Sequence, residues 1–413
     1  MRTEIRQALL FRLFIFSNVL LWNLDISFKG YSISANIIIT ILIGATQSIN
    51  LSSKAKNIYF YILSILIYGF LISFLNFQLQ LLIRVVSSTI LALLILISLI
   101  NIEKLIKYDI PIISKKDAFI IVYIIILFCL VEATYKFSSF SELDKIASGG
   151  IYREQSHTAL SILPFFFLLL LTTKGKQLIH LILLIFLFLL VSLSSTFIVI
   201  FFLMLTFYFI IISFNNGLKI KNILFLLGLI LLIFLFIISP ISQNTIKRVN
   251  ESIYVDENSN ISSLVYVNGW QLLFQNVKSS YGLGIGFNAM GFNSILRTSS
   301  MDFLEVLDLD NLGLKDGSFF FSKFISEFGI LGFIMWFQLF ISTLKIKFSK
   351  SIELNDSNRI ICFAFISIIS IGGFVRSAVY FTGSGVLCMF FIIIIYNKTL
   401  KKKTKIETKY TNN

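Results

Sequence analysis

Long apolar runs alternate with short polar segments over most of the chain, and this alternation is its strongest signal. A helix needs about 17 to 25 apolar residues to cross the hydrocarbon of a bilayer. Runs of that kind predict helices over 8–24, 31–50, 57–75, 79–100, 118–134, 158–173, 178–193, 196–214, 223–241, 319–343, 359–375 and 381–397. The uncharged stretch 178–214 is too long for one span and is divided at "SLSST" (192–196), where small hydroxyl residues let the chain turn. Transmembrane strands are disfavoured, because these runs exceed the roughly 10 residues of a barrel strand. The expected fold class is an all-α integral membrane protein of about twelve transmembrane helices, a single polytopic domain over 1–413.

Composition agrees with the pattern. The chain is 57% hydrophobic and 14% charged with a mean hydropathy of +0.89, whereas soluble domains carry about 25% charge. Cys129, Cys362 and Cys388 each sit inside an apolar run, which offers neither a disulfide framework nor a metal-ligand spacing. "MRTEIRQALLFRLFIF" leads to Asn, Trp and Asp rather than to a small-residue cleavage site, so the first span is expected to remain.

Basic residues set the expected orientation. Arg2, Arg6 and Arg12, the pairs Lys54/Lys56, Lys174/Lys176 and Lys219/Lys221, and the groups Lys104–Lys116 and Lys345–Arg359 all fall on one side, with the tail 398–413. Acidic residues favour the other. Both termini are therefore expected in the cytoplasm, and the net charge of +14 reads as a topological surplus. The basic tail "KKKTKIETKY" follows a span, which makes membrane lipid its expected partner. No nucleic-acid binding is expected, since no aromatic-interleaved soluble basic face exists.

Two outer segments stand out by length, 135–157 and 242–318, and long loops in a compact protein usually carry function. Within the second, "SSLVYVNGWQLLFQNV" (262–277) is amphipathic. It reads as a helix lying on the outer membrane surface or capping the spans, and equally as one simply packed against the bundle. The glycines of "YGLGIGFNAMGFN" (281–293) are expected to let backbone approach backbone or substrate. A nucleotide loop is not expected there, because no strand precedes it and no Lys-Ser/Thr follows. Asp316 stands ahead of the tenth predicted span, as a helix cap or a site residue.

Charge at the mouths of the spans supplies the candidate chemistry. In "GGIYREQSHTALSILPFFFLLLL" (149–171), Arg153, Glu154 and His157 lie against an apolar run. Arg248 follows the ninth span, and Arg376 stands in "GGFVRSAVYFTGSG" between the last two. Arginine at membrane depth is costly unless paired, wet or snorkelling. Three outward-facing guanidiniums could also make bidentate contacts with an oligoanion such as a diphosphate.

"YREQSHTALSILP", through Glu154, Ser156, His157 and Pro164, resembles the Glu-Pro-Ser-His segment of the O-antigen polymerase (Wzy) family of lipid-linked polysaccharide polymerases. "SLSST", "GLGIGF" (282–287), "DGSFFFSKFISEFGILGF" (316–333) and "VRSAVYFTGSG" (375–385) are similar to the family's segments too, in the same order. Gln155 stands where the family usually has Pro, and Asn268 lies ahead of Trp270 in a region where relatives often carry Arg.

The resemblance implies a GT-C-type, metal-independent membrane glycosyltransferase without cofactors, at the outer face of the bacterial inner membrane. Its donor and acceptor would be undecaprenyl-diphosphate-linked oligosaccharides, and a chain-length regulator protein is an expected partner. Glu154 and His157, at i and i+3 of one helical face, would serve the attacking hydroxyl. Arg153, Arg248 and Arg376 would hold the departing diphosphate, with Arg297, Asp316 and Tyr380 completing the expected substrate contacts. An O-antigen ligase shares the fold and donor and is the nearest alternative. A flippase or transporter is another, but it would want several charges deep inside the spans, and the expected deep charge is Arg84 alone.

Overall fold

The computed structural model describes residues 2–21, 23–28, 31–47, 53–75, 79–106, 111–139, 155–192, 194–216, 259–291, 297–309, 312–314, 317–348, 356–376 and 380–410. Among them are thirteen α-helices. Eight precede the large outer segment: α1 (Arg2–Leu20), α2 (Ala35–Ala45), α3 (Ser53–Leu75), α4 (Leu79–Glu103), α5 (Lys115–Ser139), α6 (Gln155–Thr172), α7 (Lys176–Ser192) and α8 (Ser195–Asn216). Then come α9 (Ile261–Ser279), α10 (Ser299–Val306), α11 (Phe320–Phe348), α12 (Asp356–Ser370) and α13 (Gly383–Tyr410).

Eleven of the twelve predicted spans coincide with one of these helices, and the ninth, 223–241, lies outside the described residues. The division at "SLSST" is observed, since α7 ends at Ser192 and α8 begins at Ser195. Five helical segments are long and apolar enough to cross a membrane: Ile83–Glu103, Lys115–Lys136, Gln155–Thr172, Phe320–Leu344 and Ser357–Phe374. Shorter apolar helices accompany them at Ala35–Ala45, Ile62–Leu75, Lys176–Ser192, Thr196–Ile210 and Gly383–Tyr396.

Among the described residues, a departure from the all-helical expectation lies at the start of the second predicted span. Asp25–Phe28 (β1) and Tyr31–Ser34 (β2) pair as an antiparallel ribbon, with Ile26 opposite Ile33. "DISF" and "YSIS" alternate apolar and polar positions, a period-2 pattern that a strand satisfies better than a helix. The apolar run therefore becomes helical at Ala35, after Ser34.

Phenylalanine fills the interior. Phe165 of α6 meets Phe365 of α12 edge to face. Phe166 packs against Phe188 of α7 and Phe197 of α8, and Phe167 against Phe363. α6 thus sits at the centre, against α5, α8 and α12, and its buried residues run from Thr158 to Leu169 through Pro164. The surface is apolar as well. α7 exposes Ile179, Ile182, Leu183, Phe186 and Leu190, and α11 exposes Ile330, Phe333, Ile334 and Phe337. Contiguous apolar faces of that extent fit lipid rather than water.

α11 is broken. Gly329 adopts φ 59°, ψ −138° in its middle, and a Cβ there would stand 2.0 Å from the carbonyl oxygen of Gly282. Gly329→Ala is expected to cost at least about 1–3 kcal/mol in backbone strain, read as a lower melting temperature of the detergent-solubilised chain. An unchanged melting temperature would mean that the break relaxes freely.

Candidate functional site

A helix interrupted within an apolar bundle frees carbonyls and amides that need new partners. The glycine-rich segment 282–286 supplies them. The amides of Ile285 and Gly286 donate to the carbonyls of Ser326 and Glu327 at 3.0 Å each, and Ile330 N–H donates to the carbonyl of Gly282 at 2.8 Å. The approach is so close that a Cβ on Gly284 would lie 2.5 Å from the Glu327 carbonyl oxygen. α3 closes the other side, where Tyr68 Oη donates to the Leu283 carbonyl at 2.8 Å. Gly286, at φ 105°, leaves no room for a Cβ beside Ser73. The expected backbone-to-backbone approach of these glycines is therefore observed.

At the break sits a buried charge cluster. Lys323 and Glu327, one turn apart in the first half of α11, have fully buried side chains and lie 3.2 Å apart from Nζ to Oε1. The Glu327 carboxylate also accepts from Asn288 N–H at 2.9 Å, Met290 N–H at 3.3 Å and the Tyr380 hydroxyl at 2.7 Å. Arg84 of α4 donates through Nε to the Asn288 carbonyl at 3.1 Å, and Asn288 Nδ2 donates to Ser88 Oγ at 2.8 Å. Residue 288 has φ 53°, a conformation that asparagine tolerates better than most residues. The Tyr380 ring packs on Phe287 and Phe320. Burial, and secondarily the Glu327 carboxylate, push its hydroxyl well above the ordinary tyrosine value, so it stays a protonated donor.

Next to this cluster the start of α6 meets the segment before α13. Arg376 Nε donates to Ser156 Oγ at 3.0 Å, across a sequence separation of 220 residues. The Arg376 carbonyl accepts from Phe320 N–H at the first turn of α11, at 3.4 Å. The described parts of four of the segments singled out in the sequence thus converge: 155–164, 282–287, 317–333, and 375–376 with 380–385. α6 begins at Gln155, the residue standing where the family has Pro, and His157 is half-buried on its first turn.

Comparison with protein-family models, with curated proteins and with solved structures found no match to this chain.

Among the residues named from sequence, Tyr380, Arg376 and His157 lie at or beside this convergence. Arg153, Glu154, Arg248 and Asp316 are outside the described residues. Arg297 is placed elsewhere. It stands exposed ahead of α10, donating through Nε to Asp302 at 2.6 Å and through its second nitrogen to Glu305. These carboxylates raise its pKa, the Asp302 hydrogen bond first, and they occupy the fork that a diphosphate would need. Asn268 is fully buried and accepts from Thr298 Oγ1 at 2.6 Å, joining α9 to the cap of α10. The segment 262–277 is helical as α9 and packs on the bundle, where Trp270 lies against Phe319, just ahead of α11, and Phe321 of α11.

Lys323 and Glu327 were given no role by the sequence reading, which placed Arg84 as the deep charge. Both lie within the membrane-length segment Phe320–Leu344, and both are at 0% exposure. The signal was available in "SKFISEFG", because a Lys and a Glu at i and i+4 inside an apolar run are placed to pair.

Proposed function

We propose that this chain is a polysaccharide polymerase of the O-antigen polymerase type, a twelve-span protein acting on the outer face of the bacterial inner membrane. It transfers a growing glycan from undecaprenyl diphosphate to the terminal hydroxyl of a new lipid-linked repeat unit. The observation that carries the reading is the hydrogen bond from Arg376 to Ser156. It joins the two charged segments that the resemblance assigns to the leaving group and to the attacking hydroxyl.

The chemistry follows from those residue types. The acceptor hydroxyl oxygen attacks the anomeric carbon, the bond from that carbon to the diphosphate oxygen breaks, and the hydroxyl proton passes to Glu154. Negative charge grows on the departing diphosphate, and guanidiniums stabilise it best where water is excluded. Arg376, with Arg153 and Arg248 from the two long outer segments of the sequence, supplies that charge. His157, three residues after Glu154 in sequence, holds a sugar or phosphate oxygen by hydrogen bonding. The apolar faces of α7 and α11 suit the long lipid.

A second reading is favoured by one observation. The Lys323–Glu327 pair beside the break in α11 is the deep charge that a transporter of lipid-linked anions would use. Chromosomal deletion followed by gel analysis of surface polysaccharide separates the readings. Loss of a polymerase leaves core bearing one repeat unit. Bare core with polymer stranded on lipid would instead indicate a ligase, and bare core without polymer a transporter.

A further inference from the structure

We propose that Glu327 is a positioning residue that sets Arg376 through Tyr380, an inference that rests on the polymerase reading for the role of Arg376. The carboxylate has four lone-pair positions. Four donors occupy them: Lys323 Nζ and Met290 N–H on Oε1, and Asn288 N–H and the Tyr380 hydroxyl on Oε2. No acceptor capacity remains for a sugar hydroxyl, so Glu327 holds the protein rather than the substrate.

What it holds follows from the chain path. Arg376 and Tyr380, four positions apart in sequence, each bond to α11, at two points seven residues apart along that helix. The Arg376 carbonyl accepts from Phe320 N–H, and Tyr380 donates to Glu327. Upstream, Arg376 N–H donates to the Gly372 carbonyl at 3.0 Å. The guanidinium between these anchors reaches Ser156 on α6. The same carboxylate fixes Asn288, whose carbonyl accepts from Arg84. One buried acid thereby registers the glycine-rich segment, the broken helix and the arginine-bearing segment against one another.

Tyr380→Phe tests this, since it removes one donor and keeps the ring and the Lys323–Glu327 pair. Two measurements are made on the full chain in detergent. The first is independent of substrate: the rate at which maleimide labels Ser156→Cys, the native cysteines being buried. If Tyr380 holds Arg376 over Ser156, adding Tyr380→Phe speeds labelling about tenfold, as for a local opening. An unchanged rate overturns the proposal.

The second is a double-mutant cycle on donor kcat/KM with Tyr380→Phe and Arg376→Lys. A residue acting through Arg376 loses most of its effect once Arg376 is altered. Tyr380→Phe should lower donor kcat/KM about tenfold in the native background and less than about twofold beside Arg376→Lys. Equal losses in both backgrounds overturn the proposal. Faster labelling in a chain that forms no polymer would uphold the positioning role and sink the polymerase reading.

Discussion

Glu327→Ala is expected to destabilise the chain by about 3–5 kcal/mol, the usual cost of removing one partner of a buried ion pair. Both side chains of the pair are fully buried, so the Lys323 ammonium loses its counter-charge where water does not replace it. The amides of Asn288 and Met290 and the Tyr380 hydroxyl lose their acceptor in the same step. The measurement is the melting temperature and monodispersity of the detergent-solubilised protein. A companion result checks the mechanism through its sign. Lys323→Met should destabilise the native chain and stabilise a Glu327→Gln variant, because in the second case it removes a charge whose partner is already gone. Native-like melting of Glu327→Ala would show that the interlock of the glycine-rich segment with α11 is held by its backbone hydrogen bonds.

The helices were legible because bilayer-length apolar runs leave little choice of structure. The ribbon at Asp25–Ser34 was not, since a count of apolar residues ignores the period at which they recur. The same habit hid Lys323 and Glu327, which are averaged away in a window containing Phe319, Phe320, Phe321, Phe324 and Ile325. The break at Gly329 was invisible for another reason. A glycine in an apolar helix usually reads as close helix packing, and what distinguishes this one is a partner loop more than forty residues upstream. The convergence of Arg376 with Ser156 lies beyond periodicity too.

That convergence bears on how charge is apportioned at the site. Arg376 is half-buried, engages a hydroxyl on α6 and is tethered through its own backbone, as expected of a group poised for an incoming anion. Arg297, also named from sequence, is exposed and faces two carboxylates. An arginine already forked between acids must give up those contacts before it can bind a phosphate. Of these two, Arg376 is therefore the better placed for the diphosphate that the polymerase reading proposes, although both read alike as isolated cations in an outer segment.

Glu154→Gln is expected to lose nearly all polymer formation, whereas His157→Asn should keep part of it. A sugar hydroxyl is a very weak acid, so its proton must leave as the bond to the anomeric carbon forms, and general-base help of that kind is worth about 100-fold to 10,000-fold. Glu154 directly precedes α6, whose second residue, Ser156, is engaged by Arg376. Its nearness in sequence to a residue held by the cation proposed for the leaving group is what makes Glu154 the candidate base. His157 lies on the first turn of α6 and is half-buried, a place from which an imidazole can orient a sugar oxygen without taking its proton. Both substitutions preserve size and much of the hydrogen bonding, so a cluster that merely anchors α6 at the membrane surface would survive each. The measurement is the length distribution of polymer on gels from a deletion strain expressing each variant at matched levels. Full-length polymer from Glu154→Gln would remove Glu154 from the chemistry. Loss of equal depth in both variants would show that the two side chains act as one unit, with the proton shared between them.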